Sequence, residues 1–358
     1  MDADFIIIGG GIAGVSAAAR LSDLGSVLLL EGEDSLAHHA SGRSAALYEP
    51  HYGAAPVVGL SLASREYFMA QPNVLSPRGL LTVAKAEEMA ALQADAIDMN
   101  LTLISADAAC AMVPILNRGV LAGAATADHA WDIDTDLLLQ GFAKVARSHG
   151  ARLVTKAEVT GIARIAGGWR VISKAGAFTG GVLINAAGAW VDKVAAMAGV
   201  RPLGFQPYRR SMARIPAPGG HDVSTWPMIF GAGETWYAKP DAGALIVSPA
   251  EEHLTQPHDA WADDMVLAEG LARYEAMVTE PVTRLITSWA GLRTFAPDRV
   301  LVIGQDVREP GFFWLAGQGG YGFQTSPAAS QLAADLIVGR QPGIEAGLIA
   351  ALSPARFG

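Results

Sequence analysis

The chain has 358 residues, 51% hydrophobic and 17% charged, with a formal net charge of −9 at pH 7. So much apolar material excludes general disorder and allows a sizeable core or two to three domains, and the acidic balance argues against a nucleic-acid surface. Cys110 is the only cysteine, which excludes an intrachain disulfide, a C-x-x-C redox pair and a cysteine-rich metal or iron–sulfur site and points to a reducing, cytoplasmic setting. The N-terminal residues lead into a strand without the charged and apolar segments of a signal peptide. No uninterrupted apolar run reaches the length of a membrane span.

In chain order, Asp4 to Ile8 reads as a buried parallel strand that runs into Gly9, Gly11 and Gly14 at G-x-G-x-x-G spacing. Ile12 and Ala13 sit inside the motif, Ala13 to Leu24 reads as a helix, and Val27 to Leu30 reads as a second strand closed by Glu31. Such glycines permit a tight turn, close approach of a pyrophosphate and close helix–strand packing. The helix N-terminus then faces phosphate, and the acid meets an adenosine ribose. The competing reading is an ordinary βαβ unit with a glycine turn.

His38, His39, Gly42, Arg43 and Ser44 follow, as either a solvated loop or a segment passing close to a cofactor. The adjacent histidines lack an i, i+4 partner, so no metal site is expected. Leu47 to Tyr52 forms a polar-aromatic loop containing Glu49. Ala55 to Met69 reads as a helix, Leu80 to Ala84 as a strand, Glu87 to Met99 and Ser105 to Cys110 as helices, and Val120 to Ala124 as strand-like. The acids from Asp132 to Asp136 suit the start of a helix over Leu137 to His149. Arg152 to Thr155, Glu158 to Ile165, Trp169 to Ser173 and Phe178 to Ala187 read as strands. Ala187, Gly188 and Trp190 then make a second strand-to-helix turn, which serves either a nucleotide or packing.

From Arg201 onward β character dominates. Tyr208 to Ile215 alternates, with Tyr208 and Arg210 on one face and Arg209 on the other. A hairpin spans Thr235 to Ser248, and Pro257 to Met277 reads mainly as helix. Val300 to Gly304 and Phe312 to Ala316 are strands, with Ser326 to Val338 as a helix. Gly317, Gly319, Gly320 and Gly322 repeat the glycine string, but too little chain follows for a second dinucleotide unit, so this loop is read as covering part of the first cofactor.

With Gly9 to Gly14, Glu31, Gly42-Arg43-Ser44, Ala290 to Arg293 before Pro297-Asp298, and Gly317 to Thr325 in this order, the chain resembles the FAD-dependent D-amino acid oxidase superfamily. Within it the resemblance is greatest to the bacterial D-arginine dehydrogenases and runs from about Asp4 to Pro354. It implies an α/β fold: an FAD-binding Rossmann-like domain and a discontinuous α+β substrate domain built on a mostly antiparallel sheet. On this reading residues 1–47, 132–200 and 296–358 bind FAD non-covalently, and residues 48–131 and 201–295 form the substrate domain. Tyr321, Gly322, Gln324 and Thr325 would join the cofactor loop.

The resemblance further implies that Arg210 and Arg293 clamp a substrate carboxylate, as guanidinium forks are suited to do. Tyr52 and Tyr237 would line the pocket, and Gly291 and Gln324 would reach the substrate. The activity implied is oxidation of a D-amino acid, with O2 or a quinone-like acceptor reoxidising the flavin and the protein acting as a monomer or weak oligomer. A sarcosine, glycine or secondary-amine oxidase and a non-catalytic electron-transfer flavoprotein are the rivals. Leu47 and Leu80 stand where the D-arginine enzymes carry a His and the Glu that pairs with the substrate guanidinium, so uncharged side chains are expected to be preferred. Glu49 is expected to face solvent or to pair with an arginine of the protein, the alternative being that it restores attraction for a substrate cation from another wall of the pocket.

Overall fold

The computed structural model describes residues 1–358. Ala3–Ile8 is the middle of an eight-stranded sheet, parallel to Val27–Leu30 on one side and to Gly176–Asn185 on the other. Phe5 and Ile7 enter the hydrophobic core on one face while Ile6 and Ile8 enter a second core on the other. Burial on both faces explains why this strand is continuously apolar rather than alternating. Arg152–Val154 extends the sheet beyond Val27–Leu30, and Phe312–Ala316 adds in parallel to the end of Gly176–Asn185. The start of that strand instead pairs antiparallel with Gly168–Ser173, which pairs with Val159–Ile165. Helices Ile12–Leu21, Thr135–Ser148 and Gly322–Val338 supply buried side chains to the Phe5/Ile7 core.

A nine-stranded, mostly antiparallel sheet carries the other half of the molecule. Its longest strand, Gln206–Pro216, lies against Thr287–Phe295 along nine consecutive residue pairs. Only Leu80–Ala84 and Met228–Gly231 pair in parallel there. Leu47–Tyr48, Trp131–Ile133 and Leu75–Pro77 make a third, small sheet. No helix is long and apolar enough to cross a membrane.

Several boundaries differ from expectation for identifiable reasons. The helix expected over Ala55 to Met69 divides at Ser64, whose hydroxyl donates to Leu60 O and accepts from Ala328 N of the C-terminal helix. Pro257 to Met277 is helical only over Asp264–Glu275, where the Asp263 carboxylate accepts from the N–H groups of Met265 and Val266 as N-cap. The strand expected from Val120 begins at Gly123 and ends at Ala127. The last long helix starts at Gly322, four residues before the expected Ser326, with Pro327 inside it. Phe323 O, which loses its helical donor to that proline, accepts instead from Ser326 Oγ at 2.9 Å.

Asp132 is not part of a helix start; Asp134 is the N-cap of Thr135–Ser148. Asp132 lies on a strand of the small sheet, 2.8 Å from Lys239 Nζ, and accepts from Arg78 Nε at 2.7 Å. Lys239 is buried, so its charge depends on this partner. Asp132→Asn should therefore destabilise the fold by about 3 kcal/mol, the usual cost of leaving buried cations uncompensated, measured as a lower midpoint in chemical denaturation at unchanged slope. A loss within error of zero would show that water reaches Lys239.

Candidate active site

A groove of about 560 Å³ runs between the two large sheets, from Glu31 at one end to Arg293 at the other. The Rossmann-like turn builds its floor. Gly9 takes φ +110°, and a Cβ on Gly14 would lie 1.9 Å from Gly9 O, so both glycines are demanded by the turn itself. Gly11 has ordinary extended dihedrals (φ −76°, ψ −177°), and its added Cβ would meet only Ser41 Oγ, at 3.1 Å. Its missing side chain keeps the groove open rather than satisfying the backbone. Glu31 Oε2 accepts from Gly10 N at 2.6 Å and Oε1 from Glu33 N at 2.9 Å, which holds the carboxylate in the groove wall.

Gly9, Gly11, Ile12, Ala13, Glu31, Ser44, Ala187, Gly188, Trp190, Gly319, Gly320 and Gly322 all line this groove, as do Arg210, Gly291 and Arg293. Gly14, Gly42, Gly317, Tyr321 and Thr325 do not. Thr325 is fully buried and its hydroxyl donates to Tyr321 O, while Tyr321 packs edge-on against Tyr52. The early start of the last helix brings the N-terminal turn at Gly322 and Phe323 to the groove.

Arg43 has protein partners for its guanidinium. It lines the groove, but its guanidinium donates to Ala260 O at 2.7 Å and Ala290 O at 3.0 Å and pairs with Asp259. With those partners it ties this loop to the strand Thr287–Phe295 and is not free for a phosphate. Ser41, in the same loop, accepts from Ile12 N at 3.0 Å at the start of the first helix. Its only sequence signal is its position beside Gly42. Glu33, His38 and His39 bring their ligand atoms within 4.8 Å of one another despite lacking metal-ligand spacing, and His39 Nε2 is hydrogen-bonded to Glu33 Oε1 at 3.0 Å in the groove wall.

At the Arg293 end, a smaller cavity of about 60 Å³ opens, lined by Ser44, Leu47, Glu49, Tyr52, Glu234, Tyr237, Arg293, Gly320 and Gln324 among others. The register of the two long strands explains the arginines. Arg210 pairs with Gly291 and Tyr208 with Arg293, so Arg210 and Arg293 project from one face as diagonal neighbours. Arg209 projects from the other face towards Glu251 and Asp263. An added Cβ on Gly320 would come 2.9 Å from Arg293 Cζ, so the loop packs directly on the guanidinium. Arg293 donates no hydrogen bond of standard geometry to the protein, its nearest carboxylate being Glu234 at 3.7 Å.

Glu234 is the residue that no sequence signal marked. It sits at φ +54° at the end of the tight turn Ala232–Glu234, with Gly233 N donating to Asp95 Oδ2. Its Oε1 accepts from Arg210 Nη1 at 2.8 Å and its Oε2 from the Tyr52 hydroxyl at 2.7 Å. Burial alone would raise its pKa, but Arg293 and Arg210 outweigh that and hold it below the usual range. Burial, then Glu234, pushes the Tyr52 phenol up, so it remains a donor. Burial also opposes the charge of Arg293, but Tyr52, Tyr237 and Glu234 more than offset it.

Two further expectations are corrected. Glu49 neither faces solvent nor pairs with an arginine: it is buried, and its Oε1 lies 3.0 Å from His129 Nε2. The Glu49 carboxylate raises the His129 pKa, against the effect of partial burial. Leu80 lines neither space. It is fully buried within the second sheet, and Met228, its register partner, reaches the cavity instead. Three buried polar atoms of the cavity residues have no partner: Glu49 Oε2, Tyr237 Oη and Gln324 Nε2. Such atoms are normally satisfied, so a ligand or water is the natural partner.

Residues 4–336 match the family model described as FAD dependent oxidoreductase. The chain is 25% identical over 379 residues to the tRNA 5-methylaminomethyl-2-thiouridine biosynthesis bifunctional protein MnmC of Thiobacillus denitrificans, covering 98% of this chain and 59% of that protein. It is also 27% identical to FAD-dependent oxidoreductase domain-containing protein 1 of Xenopus laevis over 179 residues, 44% of this chain and 34% of that one. The chain thus spans only part of the length of these curated relatives. Among solved structures, L-proline dehydrogenase from P. horikoshii superposes with a TM-score of 0.84 at 22% identity, covering 99% of this chain and 98% of that one. Glycine oxidase from Geobacillus kaustophilus gives 0.82 at 22% identity, covering 98% of each chain. At these identities the structural likeness establishes the fold.

Proposed function

This chain belongs to the FAD-dependent oxidoreductase family, with FAD as its cofactor, and on that premise we propose that it oxidises the Cα–N bond of a small α-amino acid of D configuration with an uncharged side chain. The observation that carries this reading is Arg293: a half-buried guanidinium, 19% exposed, that donates no hydrogen bond of standard geometry to the protein and has its nearest carboxylate 3.7 Å away, where the long groove meets the small cavity. A planar fork in that position suits a substrate carboxylate and would orient Cα towards the groove.

FAD supplies the acceptor for the hydride leaving Cα; the resulting imino acid reacts with water to give a 2-oxo acid and ammonia. The chain's own residues bind and orient. Arg293 holds the carboxylate, and the unpartnered Tyr237 Oη and Gln324 Nε2 are available to substrate polar atoms. Tyr52 and Phe323 help close the cavity against water. The positive charge of Arg293 also favours the neutral form of a nearby amine, the form that can release hydride.

The volume of about 60 Å³ and the apolar walls from Leu47, Met99, Met228 and Phe230 support small uncharged side chains. Glu49 Oε1 already accepts from His51 N at 3.0 Å and lies 3.0 Å from His129 Nε2, so it offers a substrate cation less than a bare carboxylate would. The same volume favours glycine or N-methylglycine as a second reading. Anaerobic mixing with D-alanine, L-alanine, D-arginine, glycine and sarcosine, followed by bleaching of the flavin band, tests both. D-Alanine should reduce the flavin fastest. Faster reduction by glycine or sarcosine would establish the second reading, and reduction by L-alanine alone would overturn the configuration. Bleaching by none would leave an electron-transfer flavoprotein.

A further inference from the structure

Arg210 and Arg293 do not form an empty two-arginine clamp. Arg210 is buried and already shared between two carboxylates, Glu234 Oε1 at 2.8 Å and Glu252 Oε1 at 3.4 Å. Glu252 is in turn held by Arg299 Nη2 at 2.8 Å from both of its oxygens. Three guanidiniums therefore face two carboxylates, which leaves the cluster one positive charge in surplus, and Arg293, 3.7 Å from Glu234, is the one without a hydrogen-bonded carboxylate. Glu49, also in the cavity lining, lies 3.0 Å from His129 and adds no second cation to the cavity.

We propose that Glu234 is a built-in carboxylate that restricts the site to ligands with a single carboxylate, by neutralising Arg210 and repelling a second anionic group. The inference rests on the reading of Arg293 as the substrate carboxylate's partner and adds the rule for what else the substrate carries. Glu234 is suited to this because it is held rather than free. Its turn is pinned through Asp95, its Oε2 accepts from Tyr52, and 30% of its side chain remains accessible, consistent with its place in the cavity wall. A ligand's second carboxylate placed near Arg210 would meet that negative charge at short range in a partly desolvated space, where like charges are costly. Glutamine at this position keeps the shape and removes the charge, leaving Arg210 with Glu252.

The test uses the FAD-loaded protein and two non-reacting probes, acetate and malonate, whose dissociation constants are read from perturbation of the flavin spectrum. Wild type should bind acetate more tightly than malonate, although malonate carries the larger charge. Glu234→Gln should shift the ratio towards malonate by roughly tenfold or more, and D-aspartate should gain on D-alanine as a reductant in the same variant. Tighter malonate binding by wild type would overturn the proposal without any variant. An unchanged ratio in Glu234→Gln, with acetate still bound, would overturn it while leaving Arg293 as the anion site. If acetate perturbs neither protein, the Arg293 reading falls and this proposal with it.

Discussion

Arg293→Met is expected to lower kcat/KM for the amine substrate by about a hundredfold to a thousandfold, or about 3–4 kcal/mol of transition-state stabilisation. Two effects add. A charge-assisted bond to a carboxylate is lost, and with it the orientation of Cα that the planar fork imposes. Methionine fills much of the same space beneath the loop at Gly320, which lies against the guanidinium, so FAD should be retained and the loss should appear in turnover. Arg293→Lys separates the two effects, because an ammonium keeps the charge without the bidentate geometry, and it should fall between wild type and Arg293→Met. Stopped-flow reduction across substrate concentrations measures all three. Near wild-type kcat/KM in Arg293→Met would remove the carboxylate anchor from the mechanism. Arg210→Met is not an equivalent test, since it leaves Glu234 and Glu252 without their shared cation and acts on the fold as well.

Gly11→Val is expected to abolish FAD retention while leaving the protein folded. The backbone there has φ −76° and ψ −177°, which valine adopts readily, and the first side-chain carbon would meet only Ser41 Oγ at 3.1 Å. The branched side chain would instead occupy the groove beside the first helix N-terminus, where a pyrophosphate has to approach the backbone closely. Overpacking of this kind costs about 1–3 kcal/mol or more, so affinity should fall by roughly fivefold to more than a hundredfold. Gly14→Ala is the contrasting variant. Its Cβ would lie 1.9 Å from Gly9 O, so it should destabilise the apoprotein itself. Flavin content of the purified proteins and far-ultraviolet circular dichroism distinguish the outcomes. A yellow, fully loaded Gly11→Val protein would mean that no cofactor phosphate passes this residue.

The opening βαβ unit was legible from the sequence because its requirements are local. Four bulky residues from Phe5 to Ile8, the glycine spacing and Glu31 each follow from one turn of chain, and the observed strands match them. The last helix was legible in its existence but not its start, because Pro327 reads as a helix beginning unless Ser326 is known to satisfy Phe323 O. Among the arginines, Arg210 and Arg293 could be singled out by family resemblance, and strand alternation separated Arg209 from Arg210. Which cation has a partner could not be read. Glu234 lies 24 residues from Arg210 and 59 from Arg293, on a turn between other strands, and only the closed sheet brings it to Arg210 at 2.8 Å. The same holds for Glu49 and His129, 80 residues apart in sequence and 3.0 Å in space. Backbone conformation obeys rules of short range that sequence displays directly, whereas charge pairing is decided by distances of a few ångströms between segments that only the tertiary fold makes neighbours.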